Sequence, residues 1–469
     1  MEPSSKERHL QKCLCQAKRV KEDDPFSRLP DELIVSHILS RFSLEEGARY
    51  NILSRRWKKL WADTIGSKLI FAPEHLRYTN INDSLGQTRF WLGSRKSVDD
   101  RIDRFKASFE CWISNVVQAY AMPRVDELTV QFPFDFSNRE SIDMWVDCAF
   151  KKGVSRLELA LHYWGKKIPD EIYCFPEIDK FRGMLANCDG FYNLREVVLS
   201  GVDVSSQVIE FMLAHFPLER LCISDTYIDT LSVSGDGLKI LKLDECDSLK
   251  ISASNLMSLT YAGSENSVFF EHVPNLSDLS VGEKFCATFL PTGFLNGGYT
   301  YISRLKRLEF VMSRKVLRES VNYPLELPVT PNLEELKIEI YGVQDACCLW
   351  PLLLIKAAPI LCKFSVKLHY HFSKEIPSQI YNAAAQRMRE AAKTVRHHQY
   401  LKTIELVDYF GEAEEWELVQ HLFGVSEVLE QVIVSPIYLD RLCISVINGR
   451  AQAVATLLPP NSKAKLIIL

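Results

Sequence analysis

The sequence lacks a long apolar run, a strong charge of either sign and a known catalytic motif. No stretch reaches the roughly 18 consecutive apolar residues of a membrane-spanning helix. A net charge of −4 over 469 residues gives no reason to expect a nucleic-acid surface. The phosphate-binding loop G-x-x-x-x-G-K-S/T, the H-E-x-x-H helix and the G-x-S-x-G turn are all missing. We therefore expect no catalytic residues, no cofactor or bound metal, and neither a nucleic-acid nor a membrane partner.

Residues that often bind metals or move protons are present, but their spacing favours neither role. The thirteen cysteines are scattered and odd in number, which is typical of small buried residues in a reducing compartment. Glu414 and Glu415 fall on a predicted helix face that we expect to be exposed to solvent. No second pair of ligands accompanies the candidates for a zinc site, which are Cys13-x-Cys15, Cys347–Cys348 and His397–His398.

The N-terminal residues 1–24 carry charges where a secretory signal needs an apolar segment. Lysine and arginine dominate, but acidic residues interrupt them and aromatic residues are almost absent. This composition favours a disordered basic tail over a nucleic-acid-binding patch. We expect the protein to be cytoplasmic and/or nuclear.

Residues 29–61 contain three short amphipathic helical patterns in close succession. Pro30 suits the first turn of a helix, and the two acidic residues after it favour a helix N-terminus. Apolar residues then repeat at four-residue spacing from Ile34 to Phe42. Two further helices start at serine caps. Three helices in about 35 residues fall below the size that folds well unaided, so this unit needs a partner surface.

The segments "LPDELIVSHILSRF" and "LSRRWKKLW" resemble the two ends of the F-box in the form found in plant proteins. The resemblance covers residues 26–63 and includes the separation of the two motifs and the apolar pattern between them. Tyr50 stands where a small hydroxyl residue is usual, and Gly47 stands where alanine is usual. Gly47 costs the second helix roughly 1 kcal/mol relative to alanine.

An F-box implies a docking surface for the Skp-type adaptor of a cullin–RING ubiquitin ligase. The alternative is that the same apolar residues form a core within the chain, and some of them must do so. By position in the motif, the adaptor-binding residues would be Leu29, Pro30, Leu33, Ile38, Leu39, Ala48, Leu53 and Trp57.

An apolar-x-x-apolar-x-apolar pattern recurs along the rest of the chain. Successive copies mostly start about 20–29 residues apart, which is the period of leucine-rich repeats. The last two apolar residues of each copy would point inward from a short strand, and the alternate residues outward. Strands of successive repeats would pair in parallel, so that only the whole stack is stable. The copies are VDELTV at 125, VSRLEL at 154, LREVVL at 194, LERLCI at 218, LKILKL at 238, LMSLTY at 256, LSDLSV at 276, LKRLEF at 305, LEELKI at 333, LCKFSV at 361, LKTIEL at 401 and LEQVIV at 429.

The length of each repeat predicts what connects its strands. Repeats of about 28 residues have room for a return helix on the convex side of the stack. The repeats between 218 and 261 are shorter, and a second short strand fits there instead, at "IDTLSV" (228) and "SLKISA" (248). Longer gaps before 194 and before 401 should hold inserted helices.

This middle section resembles the leucine-rich repeats of plant F-box proteins, and residues 401–434 resemble the FBD domain that follows such repeats. The FBD pattern predicts a strand, a turn at Gly411, a helix from about Glu412 to Phe423 and a second strand. Gly424 would serve as the C-cap of the helix. Physically this is one more repeat, placed where it can close the open edge of the stack.

The predicted fold is α/β, with an N-terminal three-helix F-box, then a curved leucine-rich-repeat solenoid with a parallel β-sheet, capped by an FBD α/β repeat. A helix with an apolar stripe from Ile102 to Val116 would cap the first strand. The predicted segments are a disordered tail (1–24), the F-box (25–65), a linker with the capping helix (66–122), the solenoid (123–395), and the FBD domain with a C-terminal cap (396–469).

The resemblance implies the substrate receptor of an SCF-type ligase, which holds a target protein on the concave strand face while other subunits carry out catalysis. The main alternative is a leucine-rich-repeat interaction scaffold without a ligase role, and a small-molecule sensor is a weaker third hypothesis. The outward strand residues mix both signs of charge, which suggests a charged protein surface as the target. The alternative for each of them is a solvated position on the sheet face with no binding role. The candidate target-binding residues are Arg156, Glu158, Arg220, Lys242, Asp244, Arg307, Glu309, Glu335, Lys337, Lys363, Lys367 and Glu405.

Overall fold

The structure is a computed structural model. The residues it describes are 29–38, 56, 60, 67–72, 95–120, 124–161, 172–186, 193–263, 268–282, 285–286, 289, 300–313, 329–343, 346–370, 379–395, 397–437, 444–459 and 463–469. The predicted tail, and the predicted second and third F-box helices apart from Arg56 and Leu60, lie outside these residues.

One parallel β-sheet dominates the described part of the chain, where it has 15 strands. In space the strands follow the order β1-β2-β3-β5-β7-β8-β9-β11-β12-β13-β14-β15-β16-β17, β10 lies against β8, and β4 and β6 form a separate pair. The strands are β1 (Lys68–Phe71), β2 (Glu127–Gln131), β3 (Arg156–Ala160), β4 (Tyr173–Cys174), β5 (Glu196–Ser200), β6 (Val202–Asp203), β7 (Arg220–Ser234), β8 (Ile240–Ser252), β9 (Ser258–Tyr261), β10 (Val268–His272), β11 (Asp278–Val281), β12 (Arg307–Ser313), β13 (Glu335–Val343), β14 (Lys363–Tyr370), β15 (Thr403–Tyr409), β16 (Gln431–Pro436) and β17 (Lys465–Ile468).

Helices connect many of these strands and lie on one side of the sheet. The helices are α1 (Asp31–Leu33), α2 (Arg95–Ala119), α3 (Arg139–Lys151), α4 (Ile178–Leu185), α5 (Ser206–His215), α6 (Pro351–Ala357), α7 (Gln379–Ala392), α8 (Ala413–Val425) and α9 (Ile444–Ala453). A short π-helical segment, Ile34–Ile38, continues α1. None of the described helices is long and apolar enough to cross a membrane.

Every copy of the recurring pattern forms a strand, and the strands pair with their leucine positions aligned. Leu308 of β12, for example, lies between Leu279 of β11 and Leu336 of β13. All three are at most 2% exposed. Because each strand places its apolar side chains in the same two rows, successive repeats bury one continuous core. Full burial of each leucine contributes roughly 2 kcal/mol.

The return helices cover the apolar side of the sheet. Along α3, Ile142, Trp145 and Val146 recur at helical spacing and are fully buried in the same cluster as the strand residues. The predicted capping helix is present as α2, on which Phe109 and Ile113 are buried. The predicted inserted helices are also present, as α4 before β5 and as α7 before β15, while α5 lies in the shorter gap that follows, before β7.

The short central repeats return through strands, as their length predicts. The two predicted return strands are the second halves of β7 and β8, where Leu231 lies beside Leu249. β7 changes direction at a bulge between Ile223 and Tyr227, where Asp225 has a φ of 54°. Between these two register points β7 has two more residues than β8, and extra residues in one strand bend it, which lets β7 continue onto the return side.

Three features differ from the sequence-based expectation. The sheet begins with β1, inside the predicted linker, and ends with β17; neither strand follows the full recurring pattern. Gly424 does not cap α8: it lies within that helix, which ends at Val425 with Ser426 as the C-cap. Glu415, expected on an exposed helix face, is buried.

Candidate functional site

The first candidate surface is the N-terminal head, where the two ends of the F-box-like motif meet. The Arg56 guanidinium donates a hydrogen bond of 2.8 Å from Nε to Oδ1 of Asp31. It also donates from Nη2 to the carbonyl oxygen of Leu29, at 2.5 Å. The start motif and the finish motif, 25 residues apart, are therefore joined by one charge-assisted contact.

Apolar residues of the head divide between buried and exposed positions. Ile34 is fully buried, and Leu60 is 6% exposed. In contrast, Leu33 is 45% exposed, and Pro30 beside it is also exposed. Of the other predicted adaptor-binding residues, Leu29 and Ile38 are half-buried, while Leu39, Ala48, Leu53 and Trp57 lie outside the described residues.

The second candidate surface is the side of the sheet opposite the helices, which we call the polar face. It is formed by the residues that alternate with the buried rows, such as Glu127, Arg156, Glu196 and Arg220 on β2, β3, β5 and β7. These four residues lie side by side in register and alternate in charge. The same alternation returns further along the sheet in Asp278, Arg307, Glu335 and Lys363.

Most predicted target-binding residues on this face are paired with one another. Arg156 contacts three carboxylates: it donates to Glu158 at 2.7 Å and to Glu196, and lies 3.3 Å from Glu127. Burial lowers the pKa of Arg156, but the three carboxylates more than compensate, so its pKa is raised overall. The other ion pairs of the predicted residues are Arg220–Glu196 (3.6 Å), Arg307–Asp278, Lys337–Glu309 (2.6 Å), Lys363–Glu335 and Lys363–Glu405 (both 3.2 Å), Lys367–Glu339 (3.7 Å) and Lys367–Asp408 (2.9 Å).

Exposure along the polar face is uneven. Lys242 is exposed, and Asp244 two residues later is half-buried. Lys367, by contrast, is only 9% exposed. It belongs to a buried polar network that sequence reasoning missed.

This network occupies the ends of β13, β14 and β15. Glu339 Oε1 accepts a hydrogen bond from the Tyr341 hydroxyl and lies 2.7 Å from Nε2 of His369. The rings of Tyr341 and His369 are stacked, with centroids 4.4 Å apart. Asp408, at a bulge with a φ of 53°, lies 2.9 Å from Lys367. Extending the strand alternation by two more residues would have identified Glu339 and His369 from the sequence.

Glu415, predicted to be exposed, is 4% exposed and caps the start of α8. Its carboxylate accepts hydrogen bonds from the backbone N–H groups of Phe410, Gly411 and Glu412. Burial raises the pKa of Glu415 to about 7, although these hydrogen bonds lower it. Glu415 and Tyr409 also line a small cavity between α8 and the sheet, and the Tyr409 hydroxyl has no hydrogen-bond partner among the described residues. Helical spacing alone did not reveal that this residue turns inward.

The chain is similar to plant proteins over most of its length. It is 23% identical to an F-box/FBD/LRR-repeat protein of Arabidopsis thaliana over 461 residues, which is 89% of this chain and 92% of the relative. These relatives support a plant F-box/FBD/LRR-repeat family for the chain.

Other members of this group match shorter parts of the chain. An F-box/LRR-repeat protein of Arabidopsis thaliana is 26% identical over 29% of this chain and 26% of its own length. An F-box protein of the same plant is 25% identical over 51% of this chain and 48% of its own length. No family model matches the sequence. The large parallel sheet agrees with the repeats in the family name.

Proposed function

We propose that the chain is the substrate receptor of an SCF-type cullin–RING ubiquitin ligase. The observation that carries the proposal is the similarity to an F-box/FBD/LRR-repeat protein across 89% of the chain. In this proposal, residues 25–65 form the F-box, 123–395 the solenoid, and 396–469 the FBD domain with the C-terminal cap. The protein works in the cytoplasm, the nucleus or both.

The exposed part of the head supports adaptor docking. Leu33 is 45% exposed next to a fully buried Ile34, so the head keeps one apolar side chain inside and presents its neighbour to solvent. The contact of Arg56 with Asp31 and Leu29 joins the two ends of this part of the head. An apolar surface held in this way suits a partner subunit, because less conformational freedom is lost on binding.

The receptor role needs no catalytic group in this chain. Docking of the F-box would fix the adaptor at one end, and the polar face of the sheet would hold a target protein at the other. Tethering raises the effective concentration of the lysines of the target near the conjugating enzyme. The chain thereby increases the reaction rate through proximity alone.

Co-purification with a plant Skp-type adaptor tests the proposal. Replacing Leu29 and Pro30 by alanine should abolish the association while the circular dichroism of the solenoid stays unchanged. Val329→Ala is the matched control, because it removes an exposed apolar side chain (65% exposed) outside the head. Adaptor binding by the double variant, or no binding by the wild type, would reject the receptor role.

The same experiment distinguishes the interaction scaffold from the receptor. A scaffold without a ligase role would capture partner proteins through its repeats whether or not the head is intact, and would never bind the adaptor. Affinity capture with residues 25–65 deleted should instead accumulate targets that the receptor can no longer transfer to the ligase.

A further inference from the structure

Arg220 and Lys242, on adjacent strands of the polar face, differ from most of its other cations because they lack close partners among the described residues. The Arg220 guanidinium makes no hydrogen bond to the described residues, and its ion pair with Glu196 is 3.6 Å long. That carboxylate already accepts a hydrogen bond from Arg156. Lys242 is exposed and has no ion pair among the described residues. Arg307 and Lys337, by contrast, each have a close carboxylate on a neighbouring strand.

Arg220 and Lys242 are two neighbours of Cys222 on the polar face. Arg220 precedes Cys222 by two residues on β7 and points to the same face. Lys242 of β8 is the register partner of Cys222, which places their Cα atoms about 5 Å apart. Burial raises the pKa of the Cys222 thiol, and the positive charges of Arg220 and Lys242 oppose this effect. The positive electrostatic potential of both cations therefore extends over the Cys222 thiol.

The strand positions directly beside Cys222 and Lys242 carry no charge, although Arg156 and Glu196 of the neighbouring strands also act on the Cys222 thiol. Val198 of β5 lies on the far side of Cys222, and Thr260 of β9 lies on the far side of Lys242. The row of alternating charges that contains Arg220 ends there, because the register partners on the next two strands are Ile240 of β8 and Ser258 of β9. Asp244, two residues after Lys242, takes part in a different interaction.

We propose that the Arg220–Lys242 pair is the anchor for an acidic side chain of the target protein, with the aspartate or glutamate carboxylate seated over Cys222. Arginine presents several N–H donors in a plane and lysine adds a point charge, so together they bind a carboxylate from two sides. The paired cations elsewhere on the face would have to break existing ion pairs to do the same. The inference rests on the proposed receptor function only for the identity of the partner as a ubiquitination target.

Selection from a random peptide library with the full chain as bait tests the assignment. The peptides recovered by the wild type should be enriched in aspartate and glutamate. The Arg220→Gln/Lys242→Gln variant should lose this enrichment. Arg307→Gln/Lys337→Gln is the matched control, because it removes one arginine and one lysine from neighbouring strands of the same face, and it should keep the enrichment.

Fluorescence polarisation with one selected peptide then measures the contribution of the pair. We expect the Arg220→Gln/Lys242→Gln variant, and equally a peptide with its acidic residue changed to the amide, to bind about tenfold more weakly or worse. Equal losses in the two double variants, or acidic enrichment that survives the loss of Arg220 and Lys242, would overturn the assignment. Displacement of the peptide by inorganic phosphate but not by acetate would assign the pair to a phosphate group and overturn it as well.

Adaptor co-purification separates this inference from the receptor proposal. The Arg220→Gln/Lys242→Gln variant should bind the adaptor as the wild type does, because the pair lies outside the head. A chain that selects acidic peptides but never binds the adaptor would reject the receptor role and leave the acidic anchor in place.

Discussion

Replacing Glu415 by glutamine should change how the stability of the C-terminal repeats depends on pH. Glu415 is 4% exposed, and its carboxylate is held by three backbone N–H groups before α8. Glu412 is a neighbouring charge that opposes ionisation, while Arg450 lies 3.8 Å from Glu412. Burial raises the pKa by more than the hydrogen bonds lower it, so the pKa in the folded protein rises from 4.5 to about 7. The folded state therefore favours the protonated form.

The sign and size of the effect follow from this pKa. Between the two values the folded protein keeps a proton that the unfolded chain loses, so the free energy of unfolding falls as pH rises. A difference of about 2.5 units corresponds to about 3 kcal/mol in total. A glutamine side chain cannot ionise, and thus Glu415→Gln should remove this slope. Above neutral pH the variant should be more stable than the wild type by about 1–3 kcal/mol, a range that allows for the backbone hydrogen bonds that the amide loses.

Urea unfolding measured between about pH 5 and pH 8 checks the prediction. Hydrogen exchange in residues 410–425, corrected for intrinsic exchange rates, would show whether the change is local. Glu414→Gln is the control, since it removes a carboxylate from the neighbouring position and should keep the slope of the wild type. If stability increases with pH in the wild type, or if Glu415→Gln retains the falling slope, burial does not dominate at this site and the reasoning is wrong.

Three further predictions concern the repeats. Leu336→Ala should lower the free energy of unfolding by about 2–5 kcal/mol because the side chain is fully buried, whereas Lys337→Ala beside it should cost less than about 1 kcal/mol; urea unfolding distinguishes them. Gly411→Ala should cost about 1–2 kcal/mol, since φ is +82° and a Cβ would lie 3.2 Å from Arg450, while Gly183→Ala, in open space within α4, should raise the melting temperature. Arg156→Met should cost about 1–2 kcal/mol at low ionic strength, and the loss should shrink with added NaCl; a loss that does not depend on salt would contradict the pairing with three carboxylates.

The strands could be predicted from the sequence because their signal is local and repeated. Each copy of the pattern needs an apolar residue before the strand and two more within it, and burial enforces this at every repeat. β1 and β17 are the end strands of the sheet in the described part of the chain, where each pairs with one neighbour only and the requirement is weaker. Their short apolar runs, KLIF and KLII, therefore lack the full pattern.

The contacts between polar side chains could not be read in the same way. Alternation predicted that Arg156, Arg220 and Lys242 share a face, but not that Arg156 has three partners while Lys242 has none among the described residues. Those partners come from strands up to 40 residues away in the chain, and the register decides which carboxylate stands beside which cation. Glu415 is a similar case, because its burial depends on how α8 lies against β15.

Local pattern was thus sufficient for the element types, the direction of each strand's side chains and the repeated architecture, since these depend on residues a few positions apart. Tertiary structure decided which charges are neutralised, which have no close partner among the described residues, and which carboxylate is buried with a raised pKa. These properties depend on distances between strands that are far apart in sequence, and electrostatic energy changes steeply with such distances and with burial.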